Sequence, residues 1–175
     1  MSRIDSRIGR QAAAATAIVL ALGGCGAVAW ERDKEGIEIT WSGAEKGTMT
    51  APAGAVWCSA ARTVQLTAVQ GDTGVGIMIY PAESLVVGKY PIVEPADART
   101  RPPAASVGLR LVNQTAVSGY QGRAGAVVME RVQGGRMSGH FEAIARTATG
   151  AAGTIRLTGH FASVPLTSGA SACGR

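Results

Sequence analysis

The sequence has little of what most enzymes and nucleic-acid binders are built from. Its 175 residues include two His, three Cys, two Phe, three Tyr and three Trp. No G-x-S-x-G elbow or H-E-x-x-H motif occurs, and no Cys stands in a C-x-x-C pair, so the local signatures of hydrolases, zinc proteases and thiol redox sites are missing. Glu83, Glu94, Asp97 and Glu130 are isolated along the chain, which leaves no visible pair of carboxylates for glycoside hydrolysis. Lys and Arg form no runs. A phosphate-tracking groove needs clustered cations, so nucleic acid is not an expected partner. Few large aromatics beside 24 Gly favour a tightly packed small core over a wide ligand cavity. Catalysis is not expected, and no cofactor is implied.

No apolar run is long enough to cross a bilayer as a helix. The longest, Ala12 to Leu22, follows a basic start (Arg3, Arg7, Arg10) and ends in small residues, the order of a secretory signal peptide. Leu22-Gly23-Gly24-Cys25 resembles the lipobox of bacterial lipoproteins. That resemblance implies that Cys25 is lipidated and becomes the new N-terminus, which makes the membrane a partner through a lipid anchor and the address the cell envelope, outside the cytoplasm. Gly26, rather than Asp, after the lipidated Cys implies the outer membrane in a diderm. The expected organisation is a signal peptide with a helical apolar part over 1–24, a lipidated N-terminus and tether over 25–36, and one domain over 37–175. Trp30 in the tether either sits at the headgroup level or opens the first strand. Beyond residue 24 the chain carries 14 Lys and Arg against 11 acids, a net +3 that reads as a solvated surface.

With Cys25 acylated, Cys58 and Cys173 remain, and two is a number that an oxidising compartment can pair. A Cys58–Cys173 disulfide would pin the C-terminal tail to the early part of the domain. The alternative is two separate, inert thiols.

From Ile37 onward the apolar residues recur at every second position. Ile37, Ile39 and Trp41 alternate with polar residues, as do Val64, Leu66 and Ala68, then Val75, Ile77 and Ile79, then Val107, Leu109 and Leu111, which is the signature of half-buried strands. Further strands are expected at 46–51, 84–93, 124–132, 136–146 and 154–164. The run from Gly71 to Gly76 superficially suggests a phosphate loop, but it lies between two strands and reads as a hairpin turn. Residues 94–105, with Pro95, Pro102 and Pro103, read as the longest irregular stretch, either a mobile functional loop or, as the simpler reading, a solvated connection between sheet edges. No helix is expected in the domain. About eight to ten strands with short turns predict a single antiparallel all-β domain, either a β-sandwich or a flattened up-and-down barrel.

One internal repeat stands out. Met137-Ser138-Gly139-His140-Phe141 recurs as Leu157-Thr158-Gly159-His160-Phe161. The two copies read as neighbouring arms of a meander, each sending a Phe inward, with each Gly making room for the opposing ring or bending its strand. His140 and His160 then share the opposite face with Glu142, a set able to ligate zinc or copper; the bland reading is a pair of exposed histidines. The segment from Gly125 to Phe161 is similar to a strand, Gly turn, apolar-x-Gly-x-Phe pattern of uncharacterised β-rich envelope lipoproteins. This resemblance implies a β fold and an envelope address, and it supplies no catalytic residue. The reading that results is a membrane-anchored structural or partner-binding β domain, with an envelope protein as partner. Its alternatives are a lipocalin-like carrier of a small apolar ligand and a metal-binding module at His140 and His160.

Overall fold

Alternating residues of this kind fold as strands because successive side chains point to opposite faces, so one face is buried and the other solvated. The computed structural model describes residues 35–113, 116–148, 153–169 and 173. Cys25, Trp30 and the rest of 1–34 lie outside the described residues. Ten strands and one short helix follow in the order β1 (Gly36–Gly43), β2 (Gly47–Ala51), β3 (Ala53–Cys58), β4 (Thr63–Gln70), β5 (Thr73–Tyr80), β6 (Gly88–Pro91), α1 (Pro95–Thr100), β7 (Ala104–Val112), β8 (Val117–Gln133), β9 (Arg136–Thr147) and β10 (Thr154–Ser168).

Seven of these strands close into a barrel. Pairing runs β10–β3–β4–β5–β7–β8–β9 and returns from β9 to β10. The barrel, not the sandwich, is therefore the form taken by the all-β fold. β1 pairs with the first part of β10 and carries β2 on its other side, while β6 pairs with the second half of β8. Glycine-containing turns join consecutive strands: Gly71 (φ 54°) between β4 and β5, and Gly134-Gly135 (φ 60° and 69°) between β8 and β9.

The expected wholly antiparallel order needs correcting at the seam. β10 meets β3 in parallel, through Leu166–Ala55, Thr167–Val56 and Ser168–Trp57. The cause is local. A bulge between Phe161 and Val164, with Ser163 at φ 50°, turns β10 away from β1 and carries its end alongside β3. The bulge is held by the Ser163 N–H, which donates to Ser138 Oγ at 2.9 Å, and by Arg136, whose Nη1 donates to the Ser163 carbonyl at 2.7 Å.

Individual elements also differ from expectation. Gly36 already belongs to β1, one residue earlier than the predicted domain start. The expected strand over 84–93 shortens to β6, after which the Ile92 and Val93 N–H groups donate to the Gly125 and Ala105 carbonyls and the segment wedges between β8 and β7. The stretch read as irregular contains α1: Pro95 starts it without losing a needed N–H, Asp97 lies in its first turn and Arg99 in its last. Ala98 anchors this helix, fully buried against Tyr80 and Ala104.

The interior is filled by one continuous cluster of side chains, including Ile39, Met49, Leu66, Ile77, Met129 and Leu157. At its centre the repeat performs the expected packing. Gly159 stands opposite Phe141 and Gly139 opposite Phe161 across β9 and β10. A Cβ on Gly159 would lie 2.7 Å from Phe141 Cε1, and one on Gly139 would lie 2.8 Å from Phe161 Cζ. Each ring thus occupies the space that the facing glycine leaves, a reciprocal pair. Among the described residues every strand pairing and the core cluster fall between Gly36 and Ser168, so the described segment from Glu35 onward forms a complete sheet and core. The described residues belong to one compact unit.

At the opposite end from this helix, Tyr120 on β8 fastens the β1–β2 turn by donating from its hydroxyl to Glu45 Oε1 at 2.8 Å. Burial first, then the hydrogen bond to Glu45 and its negative charge, push the Tyr120 pKa from 10.0 up to about 12. A raised pKa means that folding favours the neutral phenol. This contribution is fully present below pH 10.0 and is lost as pH rises through about 12. An absorbance titration of the folded domain should accordingly show a tyrosine class ionising near pH 12 that disappears in Tyr120→Phe. Titration of all tyrosines together at the unfolded value would contradict the Tyr120–Glu45 contact.

Candidate functional site

The expected site residues fall in two places. Cys58 and Cys173 form a disulfide, with Cα atoms 5.6 Å apart, which ties the last residue of β3 to the tail after β10. The lipobox residues, Leu22 to Cys25, lie outside the described residues. His140 and His160 are directly opposite each other on β9 and β10, on the outer face as expected. Together they form the middle of a row that crosses four strands. Glu38 on β1 faces His160, with Oε2 3.8 Å from Nε2, and Glu130 on β8 places Oε1 2.9 Å from His140 Nδ1. All four side chains are about half exposed. Glu142 is engaged elsewhere, accepting from Arg156 Nη1 at 2.6 Å. Among the described residues no group of three or more His, Cys, Asp or Glu is placed to hold a metal ion.

A different part of the outer surface is shaped to hold something. β4, β5, β7 and β8 align so that their outward positions form rows across the sheet. One row reads Gly54–Thr67–Gly76–Gly108–Gln121, and the next Val69–Gly74–Arg110–Gly119. Nearer α1, Gln65, Met78 and Ser106 form a third. Because β5 and β7 present Gly74, Gly76 and Gly108 here, their backbones form the floor of an open trough of about 550 Å³. Gln65 and Thr67 on β4 make one wall, Gln121 on β8 the other, and Pro95 at the start of α1 closes the head. The volume falls within the range of roughly 300–1,000 Å³ typical of small-molecule sites.

Beside these polar walls, two side chains of β7 bear on what the trough can hold. Among the described residues Arg110 is the one charged residue that lines it, and it makes no ion pair with any described residue. Gly74 and Gly119 stand on both sides of it, so no neighbouring side chain fixes its arm. Ser106, at the head, is only 8% exposed, and its hydroxyl makes no hydrogen bond to a described residue. At the foot, Val69 is 65% and Val117 62% exposed, an unusually bare apolar rim.

None of Gly74, Gly76, Ser106, Gly108 or Arg110 was a candidate on sequence grounds. The available signal was Gly74-x-Gly76, two glycines on one face of a strand. It becomes legible only when register sets Gly76 beside Gly108. The chain matches no known protein family, no curated protein and no solved structure.

Proposed function

We propose that this chain is a lipid-anchored barrel of the cell envelope that acts by binding at its outer face, without catalysis. The observation that carries this reading is the contrast between a barrel interior filled by one continuous core cluster and an open trough on the outside of β4, β5, β7 and β8. A lipocalin-like carrier needs a hollow interior, so the filled core favours the outer face as the working surface. The anchor rests on the lipobox resemblance of Leu22-Gly23-Gly24-Cys25, and the envelope address is supported by the Cys58–Cys173 disulfide, which belongs in an oxidising compartment. With Gly26 following Cys25, the outer membrane is the destination in a diderm.

Two experiments test the proposal. Expressed in a diderm bacterium with labelled palmitate, the full chain should incorporate label and sediment with membranes, and Cys25→Ser should do neither. Label retained by the serine variant would refute the anchor. For the outer face, a photo-crosslinking residue at Val69, on the trough rim, should give a discrete adduct in the envelope. The same residue at Arg131, on β8 away from the trough, should not. Equal adducts at both positions would refute the outer-face assignment.

A further inference from the structure

We infer that the trough binds a flat, ring-containing organic anion, which names the ligand class for the outer-face reading and rests on it. The first argument is why glycine is there. A glycine inside a strand destabilises it by roughly 0.5–1 kcal/mol relative to alanine, so it needs a reason. Gly139 and Gly159 have one, since a Cβ would strike the facing ring. Gly76 has none within the fold: its φ is ordinary for an L residue and a Cβ would meet nothing within 4 Å. Gly108 is similar, the nearest atom lying at 3.7 Å from its Cβ position, and Gly74 and Gly119 would make only ordinary contacts at 3.6 and 3.8 Å. Neither backbone conformation nor packing demands these glycines. What they preserve is bare peptide surface open to a close approach.

Ser106 is an independent observation pointing the same way. Its hydroxyl bonds no described residue and still reaches solvent at the head of the trough, where a ligand polar atom would take the place of water. Charge selects the sign of the ligand. Arg110 makes no ion pair with a described residue and no acid among the described residues lines the trough, so an anion is favoured over a cation. Shape selects its body. With strands spaced about 4.8 Å apart, the β4 and β8 walls stand about 14 Å apart at their backbones. That span is broad for a single alkyl chain and suits a planar ring system laid on the glycine floor, with its carboxylate or sulfonate toward Arg110.

The domain from Glu35 onward, which completes its own core, is the material for the test. The probe is 8-anilinonaphthalene-1-sulfonate, titrated calorimetrically, with neutral N-phenyl-1-naphthylamine as the uncharged comparison. The expected result is one saturable site per chain with a preference for the anion. Gly76→Val with Gly108→Val should fill the floor and weaken binding at least about tenfold, with a melting temperature equal to or above that of the parent, because valine suits a strand better than glycine. Arg110→Gln should erase the preference for the sulfonate. Absence of a saturable site overturns the ligand class while leaving the crosslinking result at Val69 to judge the outer face. A saturable site unaffected by the double valine variant overturns both. Equal affinity for the neutral probe, or probe displacement only through self-association of the chain, overturns the assignment of an anion.

Discussion

A Cys58→Ala, Cys173→Ala variant is expected to be about 5 kcal/mol less stable than the parent. The disulfide closes a loop with a sequence separation of 115 residues. On the chain-entropy account such a crosslink removes close to 5 kcal/mol of freedom from the unfolded ensemble. Its position increases its importance. The barrel closes where β10 meets β3 over only three residue pairs, Leu166–Ala55, Thr167–Val56 and Ser168–Trp57. Cys58 is the residue immediately after that contact on β3, and Cys173 lies five residues past the end of β10, so the bond staples the shortest seam in the closed sheet. Thermal melts with and without reductant should separate by on the order of 10–15 °C, and reductant should have no effect on the double alanine variant. Unchanged stability on reduction would mean that the seam does not depend on the staple.

Phe141→Ala should cost about 3–5 kcal/mol, the range for removing a buried aromatic side chain from a core that collapses poorly. Collapse is hindered here because the residue facing the ring is Gly159, which has no side chain to lean into the void. Ile39, whose Cγ2 would lie 2.7 Å from a Cβ on Gly159, belongs to the same patch and is held by β1. Phe161→Ala should have a similar cost by the same geometry, with Gly139 opposite it. Because the two sites share one core cluster, the double variant should depart from additivity. Urea midpoints, with the slope held constant, provide the measurement. A loss under about 1 kcal/mol for either single variant would show that the rings do not occupy a close-packed centre.

Much of this architecture was legible from alternation alone. Ile37-x-Ile39-x-Trp41 and Val75-x-Ile77-x-Ile79 each name a strand and its buried face, and all six side chains are buried. The His140 and His160 copies of the repeat predicted paired arms with inward phenylalanines, because an identical five-residue pattern imposes an identical face. The Cys58–Cys173 pairing followed from counting. What escaped was set by contacts far apart in sequence or by segments too short to show a period. The parallel seam depends on a bulge at Ser163, which no local pattern marks. α1 spans only Pro95–Thr100, and the prolines of residues 94–105 read as a loop when one of them, Pro95, begins a helix. β8 starts at Val117, earlier than expected, because Gly119, Gly122 and Gly125 interrupt its alternation and two bulges shift its faces. The trough is the strongest case: its floor comes from β5 and β7, and only their register places Gly76 against Gly108.

In the proposed function this barrel works through the outside of its β4, β5, β7 and β8 wall and not through its interior. Amide chemical-shift mapping of the domain from Glu35 onward, titrated with 8-anilinonaphthalene-1-sulfonate, tests it most directly. Saturable shifts are expected to centre on Gly74, Gly76, Ser106 and Gly108, with Ile39, Phe141 and Phe161 unmoved. Shifts centred on those three inward-facing residues, with the trough glycines silent, would place the site inside the barrel and contradict it.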